Sequence, residues 1–412
     1  MTDSSPLPDD PADDDAPAAG RPVVRLRPKA GRRFFSGAPW IYADELVLDR
    51  RTRRLAPGAI AELQDAERRP LGTVAVTPDS GIPARLLDRD PAAAIDRAWL
   101  AARLSDAHRL RARVADPAFH RLIHAEADGL PGVVIDRFGE AAVIQPNAAW
   151  AEARLDDLAA ALIEVTGVSA VVVNAASRAR AQEGLAGETR LLHGALDGPV
   201  DVPMNGAIYL ADLLGGQKTG LYFDQRPNHA FAAHLGRGGP MLDVFSHVGG
   251  FALAALAAGA TRAVAVDGSA PALALAEGGA ARMGVADRLE TRRADAFDAL
   301  SAAAEAGETY PLVVCDPPAF APARSAREAG LRAYRRLARL GSRVTAPEGF
   351  LVLCSCSHAV DADAFLAACA DGLRAEGRAA RLIHEAGAGP DHPVHPALPE
   401  TRYLKATFWR LD

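Results

Sequence analysis

Lysine is nearly missing from this chain. Only Lys29, Lys218 and Lys405 occur, and the other forty-three basic residues are arginines. With the abundance of alanine, that skew reads as genomic composition bias, although arginine still suits phosphate recognition through its planar fork. Cysteine is also scarce: Cys315, Cys354, Cys356 and Cys369 all lie in the last third. They form no disulfide framework and no zinc-finger spacing with histidines, so a reducing, cytoplasmic compartment is the default and no structural metal is expected. No apolar run of about eighteen residues is free of charge, which excludes a membrane-spanning helix and argues against a membrane partner. Met1–Gly20 lacks the basic, apolar, small-residue order of a signal peptide.

The 412 residues predict two or three domains. The formal net charge is -6. Residues 1–20 carry six aspartates (Asp3, Asp9, Asp10, Asp13, Asp14 and Asp15) and no basic residue, so the rest of the chain balances to zero. Such a body does not announce a nucleic-acid binder, yet a local patch suffices for one. The tail, rich in Asp, Pro and Ala, reads as disordered.

From Val23 to about Leu87, short apolar runs separated by turn signals such as Pro57-Gly58 predict a small β-barrel or β-rich module. Arg25, Arg27, Lys29, Arg32 and Arg33 cluster at its start, beside Phe34, Phe35 and Trp40. Basic residues interleaved with aromatics suit RNA, because rings stack on bases and cations hold phosphates; a solvated face over a small core is the plainer alternative. Asp96 to Val114 reads as a helix. The next stretch reads as strand-strand-helix-strand-strand: Val133–Asp136, Ala141–Gln145, a helix over Glu152 to Val165, Ala170–Val173, and strand signals near Leu191 and from Val200 to Leu210. After about Gln217, apolar runs at Met241–Phe245, Ala263–Val266, Leu312–Cys315 and Phe350–Cys354 alternate with Ala-rich helices. That rhythm predicts an α/β fold with an open, mostly parallel sheet.

Ligands of such sheets bind beyond the carboxyl ends of the strands. The first run leads into Asp243-Val244-Phe245-Ser246-His247-Val248-Gly249-Gly250, where a Gly pair opens a helix. No G-x-G-x-x-G follows the strand, so a pyrophosphate ligand and a nicotinamide oxidoreductase are disfavoured. Asp267, after the second run, suits a ribose diol, and Asp295 suits a nucleobase edge; either could equally be a helix cap. Asp316-Pro317-Pro318-Ala319-Phe320 places a carboxylate and a ring in a rigid turn, fit to face a planar base. In Cys354-Ser355-Cys356-Ser357, Cys354 falls inside the strand and Cys356 beyond its end, where a thiolate is an effective nucleophile. Cys315 and Cys369 read as core. A metal site at Cys354 and Cys356 lacks a second ligand pair. Asp391-His392-Pro393-Val394-His395 reads as a rigid loop before a last strand rather than a metal site. Lys218-Thr219-Gly220-Leu221-Tyr222-Phe223-Asp224-Gln225-Arg226 reads as a wall of a cofactor or RNA site.

Taken together, HAEADGLPGVVIDRFG, KTGLYFDQR, DVFSHVGGFALAAL, AVDGS, CDPPAF, SCS and DHPVHPALPETRYLK make the chain resemble the S-adenosylmethionine-dependent 23S rRNA cytosine-C5 methyltransferases of the large-subunit methyltransferase I type. The resemblance runs from about Val23 to Trp409. It implies a disordered acidic tail (1–20), an N-terminal β-barrel PUA domain that binds RNA (21–92), a central α+β domain (93–212) and a C-terminal Rossmann-like class I methyltransferase domain (213–412). S-adenosyl-L-methionine is the implied cofactor, with Asp243, Phe245, Ser246, Gly249, Asp267, Asp295, Asp316 and Arg226 around it. Cys356 and Asp316 are the implied catalytic pair, and Arg25, Lys29, Arg32, Arg33 and Phe320 the implied RNA contacts. His247 stands where the family often has Tyr. The implied partner is 23S rRNA or a large-subunit assembly intermediate, and a homodimer is compatible with the family. Two alternatives stand beside this reading: methylation of a base nitrogen without a covalent step, and RNA binding without activity.

Overall fold

Three large sheets, with a separate two-stranded hairpin between the second and the third, follow one another along the chain, and the third carries the strand ends singled out above. In the computed structural model the described residues are 20–177, 180–181, 183–216 and 220–412. The acidic tail up to residue 19, and Lys218 and Thr219 of the KTGLYFDQR motif, lie outside them.

The first sheet contains β1 (Val23–Arg25), β2 (Trp40–Ile41), β3 (Ala59–Gln64), β4 (Pro70–Val76) and β5 (Ala84–Asp88), in the order β1-β3-β4-β5-β2. The expected barrel is corrected here to a curled, open sheet. Its edge strands β1 and β2 are three and two residues long, too short to pair with each other, and an isolated bridge between Leu26 and Leu46 draws the edge inward instead. Val24, Leu26, Phe34, Ile41, Leu63 and Val74 fill the concave side.

The second sheet has the order β10-β9-β8-β7-β6, from β6 (Phe119–His124), β7 (Val133–Phe138), β8 (Ala141–Pro146), β9 (Ala170–Val173) and β10 (Arg190–His193). The helix Leu155–Thr166 makes the crossover between the parallel pair β8 and β9. Strand β6 was not expected. It carries the buried His120 and the half-buried Arg121, which tertiary partners hold: Arg121 Nε donates to Asp136 Oδ1 of β7 at 2.5 Å, and its backbone N–H donates to Asp391 Oδ2 at 3.0 Å. Hydropathy patterning cannot register such a strand.

The strand signal from Val200 to Leu210 is a hairpin, β11 (Val200–Met204) and β12 (Ala207–Ala211), in a sheet of its own. It packs on the helices Gly250–Ala257 and Ala270–Arg282. The close approach requires glycine at position 279, where a Cβ would stand 2.6 Å from the Ile208 carbonyl oxygen.

The third sheet is seven-stranded, in the order β15-β14-β13-β16-β17-β19-β18. Its members are β13 (Pro240–Val244), β14 (Arg262–Asp267), β15 (Leu289–Arg293), β16 (Tyr310–Cys315), β17 (Thr345–Ser355), β18 (Ala380–Ala386) and β19 (Lys405–Leu411). The first five run parallel, and β19 inserts antiparallel between β17 and β18. Near-continuous apolar runs such as Leu351–Cys354 are buried on both faces, as a parallel sheet covered by helices requires. The order reverses at β13, so β13 and β16 leave the sheet in opposite directions and open a crevice between their loops. Among the described residues, no helix is long and apolar enough to cross a membrane.

Candidate active site

The loop after β13 is built from turns that side chains normally avoid. Phe245 (φ 64°), His247 (φ 50°) and Gly249 (φ 79°) are left-handed within five residues. Two non-glycine residues in that region store backbone strain, which persists only where neighbours over-determine it. Here the Ser246 N–H donates to the Val266 carbonyl at 3.0 Å, and the Ser246 carbonyl accepts from Gly249 N–H at 2.8 Å. The loop thereby turns the N-terminus of the helix Gly250–Ala257 toward the crevice.

Asp243 is fully buried at the end of β13. Its Oδ2 accepts from Ala252 N–H at 2.9 Å, and its Oδ1 has no partner among the described residues. Burial raises its pKa to about 7 against those backbone donors. Ser246 Oγ is likewise buried and unpartnered among the described residues. Orphaned buried polar atoms in a strand-end crevice call for a ligand that supplies donors, and an amino-acid ammonium with neighbouring polar groups fits them. Asp267, half-buried at the end of β14, accepts from His247 N–H (Oδ2, 2.8 Å) and Ser269 N–H (Oδ1, 2.8 Å). It locks the loops after β13 and β14 together. A cavity of about 390 Å³ opens beside them, lined by His247, Ser269, Ala272, Leu275 and Asp212.

Asp295 is exposed and caps the helix Ala296–Glu305, its Oδ1 accepting from Phe297 N–H at 2.9 Å and Asp298 N–H at 3.2 Å. The neighbouring Phe297 was not singled out from sequence. Its ring centroid lies 6.4 Å from that of Phe245 and 6.0 Å from that of Phe320. Phe320, expected as a stacking partner for RNA, is half-buried in this apolar wall and packs on Tyr334 at 5.0 Å. Arg226, expected at the cofactor, makes contacts with the second sheet. It starts the helix Arg226–Leu235, its Nη2 donates to the Phe119 carbonyl of β6, and its guanidinium lies 5.2 Å from the Phe223 ring centroid. Through that bond Arg226 ties its helix to β6 of the second sheet.

On the other side of the crevice, Asp316 follows β16 and its N–H donates to the Val244 carbonyl at 3.2 Å. Cys354 lies within β17, and Cys315 and Cys369 are equally buried; burial raises all three thiols. Cys356 stands just past the strand, half-buried, with Sγ 4.0 Å from the Pro317 carbonyl oxygen. The structure thus brings Cys356 to the Asp316-Pro317-Pro318 turn. A buried hydroxyl chain holds the peptide around it. Ser355 Oγ donates to Tyr334 Oη at 2.8 Å, Tyr334 Oη lies 2.8 Å from Ser357 Oγ, and Ser357 Oγ accepts from Ala321 N–H at 3.0 Å. Tyr222, whose ring centroid is 5.1 Å from that of His247, feels the charges of Asp316, Cys356 and Asp267, and so forms a wall common to both sides.

The histidine-rich loop seals a domain junction. His392 Nδ1 meets Asp391 Oδ1 at 3.0 Å, Arg111 Nη2 donates to the Asp391 carbonyl at 3.0 Å, and Tyr403 Oη donates to Asp224 Oδ2 at 2.6 Å. In the first domain, Arg25, Lys29, Arg32 and Arg33 are all exposed, as is Phe35 at 61 %. Trp40 instead donates from Nε1 to Glu126 Oε1 of the central domain at 2.9 Å.

Two family models match the chain, a PUA-like domain over residues 24–89 and an S-adenosylmethionine-dependent methyltransferase over residues 132–406. A ribosomal RNA large subunit methyltransferase of Deinococcus radiodurans is 35% identical, with 96% of this chain and 100% of the relative covered. A ribosomal RNA large subunit methyltransferase I of Alteromonas mediterranea is 33% identical, with 93% and 97% covered. A solved structure from Streptococcus mutans, assigned as a SAM-dependent methyltransferase, superposes with a TM-score of 0.79 at 17% identity and shares the fold over 94% of this chain and 100% of its own. The chain is therefore an S-adenosylmethionine-dependent methyltransferase. Full-length similarity of this kind, spanning both the curled N-terminal sheet and the seven-stranded one, shows that the chain belongs to the ribosomal RNA large subunit methyltransferase I family.

Proposed function

We propose that the chain methylates carbon 5 of a cytosine in 23S rRNA through a covalent adduct on Cys356. The observation that carries this reading is the placement of Cys356. It is half-buried beside the Asp316-Pro317-Pro318 turn, whereas the other three cysteines are buried in the core. S-adenosylmethionine supplies an electrophilic methyl group, held by Asp243, Phe245, Ser246, Gly249 and Asp267. Carbon 5 of cytosine is a poor nucleophile until the Cys356 thiolate adds to carbon 6. That addition moves the ring's electron pair onto carbon 5, which takes the methyl group. Loss of the carbon 5 proton to a base then returns the electron pair and expels the thiolate. Asp316 supports the activated ring by hydrogen bonding at nitrogen 3 or the exocyclic amine. The target base must leave its stack to reach the turn. Arg25, Lys29, Arg32 and Arg33 supply phosphate contacts that position the RNA, with Phe35 exposed among them for stacking.

The test uses tritiated S-adenosylmethionine and unmodified large-subunit rRNA, as free RNA and as assembly intermediate, with nucleoside analysis of the product. The expected label is in 5-methylcytidine and vanishes in Cys356→Ala. Label in a nucleoside methylated on nitrogen, surviving the substitution, would replace this reading by the non-covalent one.

A further inference from the structure

Lys405 is one of three lysines in the chain, and it is buried, at 8 % exposure, where the nucleophile's loop leaves the sheet. It opens β19 and lies in register opposite Ser355, the last residue of β17. Its Nζ donates to the Ser357 carbonyl at 2.7 Å and the Val360 carbonyl at 2.8 Å. An ammonium has three hydrogens, and these two bonds use two of them. Both acceptors lie in the turn that follows Cys356, so the charge is fixed on the segment that carries the thiol. The ammonium and Cys356 feel each other electrostatically, and Asp361 acts on the ammonium in the same sense.

Resting on the reading of Cys356 as nucleophile, we infer that Lys405 is a positioning residue that holds the Cys356 loop and stabilises the thiolate by its fixed positive charge. Among the described residues, the following ionisable groups around Cys356 do not supply that charge. Asp316, from the loop after β16, is acidic. Tyr222, from the segment before the helix Arg226–Leu235, Tyr334, from the helix Arg327–Arg343, and Cys354, in β17, are all raised by burial and stay neutral near pH 7. Burial lowers Lys405 itself to about 8, which leaves it mostly charged at neutral pH. A cation in a half-buried site favours thiolate over thiol, and it does so before any RNA binds.

The test is the pH dependence of alkylation, which needs neither substrate nor turnover. The full chain is reacted with iodoacetamide between pH 5.5 and 10, and labelling of Cys356 is followed by peptide mass spectrometry for the wild type, Lys405→Met and Lys405→Arg. The wild-type profile is expected to have its midpoint below the roughly 8.5 of a free cysteine. Lys405→Met should raise the midpoint by about one pH unit, slowing labelling at pH 7 on the order of ten-fold with little change at pH 10. Lys405→Arg should restore most of the wild-type profile. A Lys405→Met profile that superimposes on the wild type, or one slowed equally at every pH, overturns the inference. If Lys405→Met fails to fold, a wild-type midpoint at or above 8.5 overturns it equally. Failure of the nucleophile reading shows elsewhere, as methyl transfer that survives Cys356→Ala.

Discussion

The two sides of the crevice are built in different ways. On the side of β13 and β14, the polypeptide backbone does most of the holding. Left-handed residues at Phe245, His247 and Gly249 shape the loop, and Asp243 and Asp267 spend carboxylate oxygens on backbone N–H groups. On the side of β16 and β17, side chains hold one another. Tyr334 links Ser355 and Ser357, and Lys405 reaches from β19 to tie down the turn after Cys356. The difference teaches why one side is conspicuous in the sequence and the other is not. A loop of glycines and strand-end carboxylates is contiguous along the chain, whereas a network of hydroxyls and an ammonium is contiguous only in space.

The comparison makes the two sides separable by mutation. Cys356→Ala should have the largest effect, with methyl transfer falling by roughly 10³-fold or more while cofactor affinity stays at the wild-type value by calorimetry. A loss of affinity in that variant would mean that the two sides are one unit. Asp267→Ala should do the reverse, weakening cofactor binding about 10- to 100-fold as charge-assisted hydrogen bonds are lost. Its Cys356 should alkylate at the wild-type rate.

Replacing Arg25, Lys29, Arg32 and Arg33 together by alanine should leave both sides of the crevice intact and act on RNA alone. Affinity should fall about ten-fold, and the salt dependence of binding should become shallower by roughly three in logarithmic slope, measured by titration at several salt concentrations.

Asp243 gives a pH test confined to the cofactor side. Its folded pKa, about 7, lies above the ordinary 3.8 of an unfolded chain. Between those values the folded state keeps a proton that the unfolded state has released. The ligand-free protein should therefore lose stability as pH rises from about 4 through 7, and Asp243→Asn should flatten that slope in thermal melts. Cofactor affinity should rise over the same range, with proton release seen as a buffer-dependent binding enthalpy. Asp295→Ala should have the smallest effect: loss of a helix cap costing about 1 kcal/mol, read from denaturant unfolding, with little change at Cys356.

Much of the third sheet was legible because its parallel strands are unbroken apolar runs that stop at informative residues. Met241 to Phe245 differs from the observed Pro240–Val244 by one residue at each end, and Cys354 and Cys356 fall on the two sides of the strand boundary as their spacing implied. Edges were read less well. β6 escaped notice because its Arg121 looks like a surface residue until Asp136 and Asp391 are brought to it. The first sheet was read as a barrel because strand patterning does not say whether two edges meet. The bond from Arg226 to the Phe119 carbonyl of β6 was not legible either, because the direction of a side chain on a first helical turn depends on what the helix packs against.

The sequence by itself determined that a β-rich PUA-like domain precedes a methyltransferase domain, the parallel α/β sheet, and the placement of Asp243, Asp267, Asp316 and Cys356 at strand ends, since burial on both faces and glycine-bearing turns leave local marks. Only the tertiary structure decided which of them meet and what supports them. Arg121 and Asp391 bond across 270 residues, Tyr334 reaches Ser355 and Ser357 from a neighbouring helix, and Lys405 arrives beside Cys356 through the register of an antiparallel strand. Such contacts are fixed by strand register and helix packing, which join residues distant in the chain and leave no periodicity in it.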